Sequence, residues 1–145
     1  MKLAIGSDHG GHRLKGVISA WLTEQGHAVT DFGTHSLDSC DYPDYAAPVA
    51  HAVAEGTCDF GILICTTGIG ISISANKVDG IRCALCHDPL SAQLTRAHND
   101  ANILAMGAGI IGDNLAIEIT SNFLTSTFEG GRHKTRVDKM MSLEQ

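Results

Sequence analysis

Residues 59–65 read Asp59-Phe60-Gly61-Ile62-Leu63-Ile64-Cys65. A strand with one wet face alternates apolar and polar residues; a run apolar throughout is a strand covered on both faces. Such a strand demands a sheet sandwiched between two helical layers. The rest of the chain supplies the parts. Apolar runs at 2–6, 27–32, 81–86 and 103–106 read as further strands. Between them lie helix-period segments. Residues 12–25 carry Leu14, Val17, Ile18, Trp21 and Leu22 on one face, with Gly26 as a stop. Residues 45–55 are rich in alanine and end before Gly56. Residues 66–70 form a tight turn, and a helix starts at Ile71. Asp88-Pro89 opens a helix to about Ala97, with Asp suited to the N-cap and Pro to the first helical position. Residues 113–124 form another helix, and a short charged helix runs over 132–144.

Strand followed by helix, five times over, predicts an α/β fold: a five-stranded parallel sheet with helices on both faces. The 145 residues suit one domain, 1–145, able to bury a core without disulfides or metal. A hydrophobic content of 43% excludes a disordered chain. The net charge of -6 argues against nucleic acid as a partner, because such binders need a basic footprint. No apolar run approaches the ~20 residues of a membrane span, so no membrane role is expected. The first residues hold too few apolar side chains for a signal peptide, and five cysteines cannot all pair within one chain. A cytoplasmic protein with reduced thiols is the expectation. Charged residues amount to only 18%, which suggests surface buried in an oligomer.

In an open parallel sheet, function sits in loops beyond the C-terminal strand ends. Cys65 ends the strongest strand and enters a glycine-containing turn before a helix. Backbone N–H groups and the helix N-terminus there favour a thiolate, and Thr67-Gly68-Ile69-Gly70-Ile71-Ser72 supplies an anion-binding nest. The plainer alternative is a packed cysteine before a tight turn. Asp8 and His9 end the first strand and suit proton transfer or sugar hydroxyls, or else form an Asx-type turn. His98-Asn99-Asp100 is polar and follows a helix; a helix C-terminus explains it as well. Arg132 and Arg136 share a helix face and could grip one phosphate, or could be a solvated charged face.

Two motifs read as decoys. Cys83-Ala84-Leu85-Cys86-His87 fits the C-x-x-C-H haem pattern, but in a strand positions three apart face opposite sides. Gly107-Ala108-Gly109-Ile110-Ile111-Gly112 fits G-x-G-x-x-G, but it falls in the last strand–helix unit, with no later strand to carry a ribose-binding acid.

Taken together, Gly6-Ser7-Asp8-His9-Gly10-Gly11, Asp41-Tyr42-Pro43-Asp44-Tyr45-Ala46, Gly61-Ile62-Leu63-Ile64-Cys65, Gly68-Ile69-Gly70-Ile71-Ser72-Ile73, Ala75-Asn76-Lys77, Gly80-Ile81-Arg82, Ser91-Ala92-Gln93-Leu94, His98-Asn99-Asp100 and Glu129-Gly130-Gly131-Arg132-His133 are more specific than any part. This set resembles the type B ribose-5-phosphate isomerase family, which includes galactose-6-phosphate and allose-6-phosphate isomerases, from Met1 to about Arg136. The resemblance implies a Rossmann-like three-layer α/β/α sandwich and a homodimer, with a tetramer as the larger option, whose active sites are shared between subunits and whose C-terminal helix packs on the partner. It implies aldose–ketose isomerisation of a sugar phosphate, ribose 5-phosphate to ribulose 5-phosphate, within pentose phosphate metabolism. The route is a cis-enediolate, with no cofactor and no metal. On this resemblance Cys65 moves the proton between C1 and C2, and Thr67 assists exchange between the oxygens. The N–H groups of Gly68, Ile69, Gly70 and Ser72 hold the enediolate. His98 opens the ring with Asp8, Asn99 binds hydroxyls, and His9, Arg132 and Arg136 bind phosphate.

The chain departs from the family pattern at three places. Thr66 stands where glycine is usual, Gly109 where an arginine near the phosphate is common, and His12 where an aromatic is usual. These departures keep other substrates open: allose 6-phosphate, galactose 6-phosphate or a tetrose phosphate. Outside this class, the sheet order and Gly107 to Gly112 permit a non-catalytic nucleotide- or flavin-binding module, and Cys83 with Cys86 permits a redox protein.

Overall fold

A computed structural model describes residues Met1–Gln145. Its elements alternate as expected. They are β1 (Lys2–Ser7), α1 (His12–Glu24), β2 (Ala28–Asp31), α2 (Pro43–Ala54), β3 (Phe60–Cys65), α3 (Ile69–Ala75), β4 (Cys83–Leu85), α4 (Pro89–Asn99), β5 (Ile103–Gly107), α5 (Asp113–Thr125) and α6 (Arg132–Met141). The sheet has the order β2-β1-β3-β5-β4, and every pairing is parallel.

Side chains alternate across a strand, so each central strand feeds both layers. Leu3, Ile5, Ile62 and Ile64 pack with Leu14, Ile18 and Leu22 of α1 and with Ile119 and Phe123 of α5. Ala4, Leu63 and Cys65 point the other way, toward Val49 of α2 and Ile71 of α3. Ile62, Leu63 and Ile64 are all fully buried, as a strand without polar side chains must be. Each such side chain contributes roughly 1.5–3 kcal/mol by leaving water.

From β1 the chain turns outward to β2, then crosses back to β3 and continues on the far side. The loops after β1 and β3 therefore leave neighbouring strands in opposite directions. A crevice opens between them, at the switch point where such sheets bind ligands. Lys15 helps to fix this edge. It is buried, and its Nζ lies 2.7 Å from both oxygens of Asp31, which also accepts the N–H of Gly33.

Several bounds differ from the sequence reading. Helix α2 starts at Pro43 rather than Tyr45, since proline needs no N–H partner in a first turn. Helix α3 starts at Ile69, two residues early, because Gly68 at φ 75° caps it in a left-handed conformation. Strand β4 keeps three residues, paired on one side only, to β5. Helix α4 runs on to Asn99, so His98 and Asn99 belong to its last turn rather than to a following loop. Helix α6 stops at Met141 and docks on its own chain through His133 and Val137.

Candidate active site

The chain places Asp8 and Cys65 at the C-terminal ends of two neighbouring strands. With Tyr42, Thr66, Thr67, Ile69, Gly70 and Ile73 they line one open pocket of about 500 Å³. The Cys65 side chain is buried, and its Sγ accepts the N–H of Gly68 at 3.1 Å. Gly68 makes that bond from a left-handed conformation, φ 75°, and a side chain at 68 would strike Leu85 and the backbone of Met106. The Thr67 hydroxyl accepts the N–H of Ile69 at 3.2 Å.

The expected row of donors from Gly68 to Ser72 is shorter in the structure. Because α3 starts at Ile69, the N–H of Ser72 already donates to the Gly68 carbonyl at 3.2 Å. The Ser72 hydroxyl donates to the Ile69 carbonyl at 2.8 Å. Neither the N–H nor the hydroxyl proton of Ser72 remains as a donor for a ligand. The N–H groups of Gly70 and Ile71 have no backbone acceptor, so the open end of the helix comprises these two.

Asp8 makes the Asx-type turn and also faces the crevice. It is buried, caps the short turn His9–Gly11 by accepting the N–H of Gly11 at 3.2 Å, and still lines the pocket. His9 beside it accepts the backbone N–H of Cys40 at Nδ1, 3.2 Å away. That bond leaves the ring proton on Nε2, ready to be donated.

His98, Asn99, Arg132 and Arg136 lie elsewhere. In a parallel sheet the returning helix ends beside the N-terminal ends of the strands, and α4 does so. After it, the Asn102 carbonyl accepts the N–H of Gly61 at the start of β3, whereas Cys65 ends that strand. Helix α6 is tied to the same end by the Glu129 N–H donating to the Ala97 carbonyl at 3.0 Å. Arg132 and Arg136 are exposed and make no ion pair. Within one chain, then, these four residues stand at the opposite end of the sheet from Cys65.

The decoy motifs resolve into packing. Cys83 and Cys86 face different layers of the core, and burial pushes the Cys83 thiol far up and the Cys86 thiol up to about 11. Two of the three glycines of 107–112, Gly107 and Gly109, serve the Cys65 loop, while a side chain on Gly112 would meet open space. A side chain on Gly107 would sit 2.6 Å from the carbonyl of Thr67. The N–H groups of Ala108 and Gly109 donate to the carbonyls of Cys65 and Thr66 at 2.9 and 2.8 Å.

Some site features escaped the sequence reading. Tyr42 closes over Gly70 so tightly that a side chain at 70 would meet its ring at 2.5 Å. Its signal was the Asp41-Tyr42-Pro43 motif, which carried no assigned role. Thr66 covers Gly10 and Gly109: a Cβ on Gly109 would lie 3.0 Å from Thr66 Cγ2, and one on Gly10 would collide with its hydroxyl. Two of the three departures from the family pattern thus touch each other. The third, His12, opens α1, and nothing in the structure explains it.

Residues 3–140 match the model of a family described as Ribose/Galactose Isomerase. The ribose-5-phosphate isomerase B of Escherichia coli is 52% identical to the chain, over 99% of it and 97% of the relative. The D-erythrulose-4-phosphate isomerase of Pectobacterium atrosepticum is 44% identical, over 97% and 93%. The solved structure of Clostridium thermocellum ribose-5-phosphate isomerase B superposes with a TM-score of 0.98 at 53% identity, covering 99% of this chain and 97% of that one. With its switch-point crevice, its cysteine and its matched length, the chain belongs to the ribose/galactose isomerase family.

Proposed function

We propose that the chain interconverts ribose 5-phosphate and ribulose 5-phosphate through a cis-enediolate, with Cys65 as the base and no cofactor, in a cytoplasmic homodimer. One observation carries this reading: Cys65 Sγ sits in a crevice beside Thr67 and a helix end whose N–H groups at Gly70 and Ile71 are unpaired. Proton removal beside a carbonyl needs a base and an oxyanion site together, and this turn offers both.

From the aldose side, the Cys65 thiolate takes the proton on C2 and the carbonyl electrons move to O1. The N–H groups of Gly70 and Ile71 stabilise the enediolate. Thr67 passes the O2 proton to O1, and Cys65 returns its proton to C1, which gives the ketose with every atom conserved. His98 of the partner subunit, with Asp8, opens the furanose ring first. Asn99 binds sugar hydroxyls, while His9 and the partner's Arg132 and Arg136 hold the phosphate.

Where the residues stand supports a shared site. Sugar-opening and phosphate-binding groups lie at one end of the sheet and the base at the other, so two chains are needed to join them. Exposed Ile69 (52%) and Ile73 (55%) flank the crevice and suit cover by a second chain. All five cysteines are unpaired, which fits a reducing compartment.

A second reading keeps the chemistry and changes the sugar. Thr66 narrows the crevice beside Gly109, which favours a shorter substrate, a tetrose phosphate. A panel of tetrose, pentose and hexose phosphates ranked by kcat/KM decides between them. The primary reading requires ribose 5-phosphate to rank first; a tetrose phosphate at the top replaces it with the second.

A further inference from the structure

Around the proposed ring-opening residue His98 lies a cluster whose other two members, Glu129 and His133, the isomerisation does not use. His98 stands in the last turn of α4, His133 in the first turn of α6, and Glu129 precedes that helix. Their ligating atoms all lie within 4.8 Å of one another. The rings of His98 and His133 stack at 4.2 Å with 12° between planes, and His133 Nε2 lies 3.3 Å from Glu129 Oε2. The frame beneath is fixed, because the Glu129 N–H is bonded to Ala97, one residue before His98. His133 is buried, while Glu129 is 59% exposed, so the cluster opens to solvent on one side.

We propose that His98, Glu129 and His133 form a binding site for a divalent transition-metal ion of the zinc class. A tetrahedral ion with bonds of about 2.0–2.1 Å holds its donors roughly 3.3–3.4 Å apart. The His133–Glu129 pair already has that separation. Parallel rings cannot both aim at one ion, so His98 turns about its Cβ–Cγ bond to complete the set. Two imidazoles and a carboxylate make the donor set of open zinc sites, with a fourth place left for water. Imidazole nitrogen selects such ions over magnesium or calcium.

The bound ion occupies the His98 nitrogen needed for proton transfer, and so it inhibits turnover of ring-closed substrate. That consequence rests on the proposed role of His98; the binding itself does not. The test is titration of the intact chain with Co²⁺, whose visible spectrum distinguishes nitrogen and oxygen ligation from thiolate. The expected result is one ion per chain with tetrahedral bands and no thiolate band. Glu129→Gln and His133→Asn should each weaken binding at least ~10-fold, since losing an outer-shell partner alone costs about 10–100-fold. Zn²⁺ should inhibit the wild type, and Glu129→Gln should remain active with inhibition shifted to higher Zn²⁺. Unchanged affinity in both variants, or a thiolate band at one ion per chain, overturns the site. Binding without inhibition upholds the site and removes His98 from ring opening.

Discussion

The two ends of the sheet are built on different principles. Around Cys65, backbone does the work: the Gly68 N–H on sulfur, the unpaired donors of α3, and the β5 loop pressed against Thr67. At the other end, His98 and Arg132 stand at helix ends and Arg136 one turn further along α6, and the arginines have no ion-pair partner. The first region is complete within one chain. On the proposed reading, the second gains its purpose only against a partner chain. A backbone-built cradle loses little freedom when a transition state forms, whereas long side chains must still be ordered by a ligand or a partner.

The sharpest way to break this contrast is at the sulfur. Cys65→Ala should lower kcat by about 10²–10⁴-fold with the fold intact, the range expected for loss of a general base. Wild-type turnover on every sugar phosphate tested sinks the assignment. The partner half is tested by mixing. Cys65→Ala and His98→Asn chains, each inactive alone, should regain roughly a quarter of wild-type activity when refolded together. Half of randomly mixed dimers are then hybrids, and each hybrid has one intact site of two. No recovery means that the two ends do not meet across a dimer.

The touching pair Thr66 and Gly109 gives a smaller effect. Gly109→Arg alone should not improve KM, because the new Cβ crowds Thr66. Thr66→Gly with Gly109→Arg should lower KM for the sugar phosphate about 10-fold, as an added charge-assisted hydrogen bond of ~1.5–3 kcal/mol would. Equal KM values for the single and double variants would show that the two positions are independent. The smallest effect is in labelling. Cys86 has a thiol pushed up to about 11, and Cys83 and Cys58 are raised as well, so at neutral pH all three are almost wholly protonated and slow toward iodoacetamide. Cys65 should label ahead of them, with substrate protecting it; Cys86 labelling first would contradict the turn's proposed effect.

Much of this was legible before the structure. The apolar run at 59–65 demanded a covered parallel strand, and the sheet has it at the centre. The crevice residues Asp8, Cys65 and Thr67 were readable because each follows a strand end. Helix bounds were less so: α3 began two residues early, which removed Ser72 from the donor row. Nothing local announces that a glycine will turn left-handed. Tyr42 was quoted in a motif yet unassigned, since its contact with Gly70 joins distant segments. The G-x-G-x-x-G match read as a decoy, and the structure gives Gly107 and Gly109 a different reason, close approach to the Cys65 loop, which joins distant segments.

The sequence by itself determined the element types and their order. Hydrophobic period and capping residues act over a few neighbours, and those forces are written locally. The family was legible for a related reason, since its motifs are short and ordered. Only the tertiary structure decided which strand ends lie side by side, which N–H groups stay free, and that His98 and the arginines stand away from the cysteine. Those facts depend on the strand order and on where each returning helix ends, which no local spacing encodes.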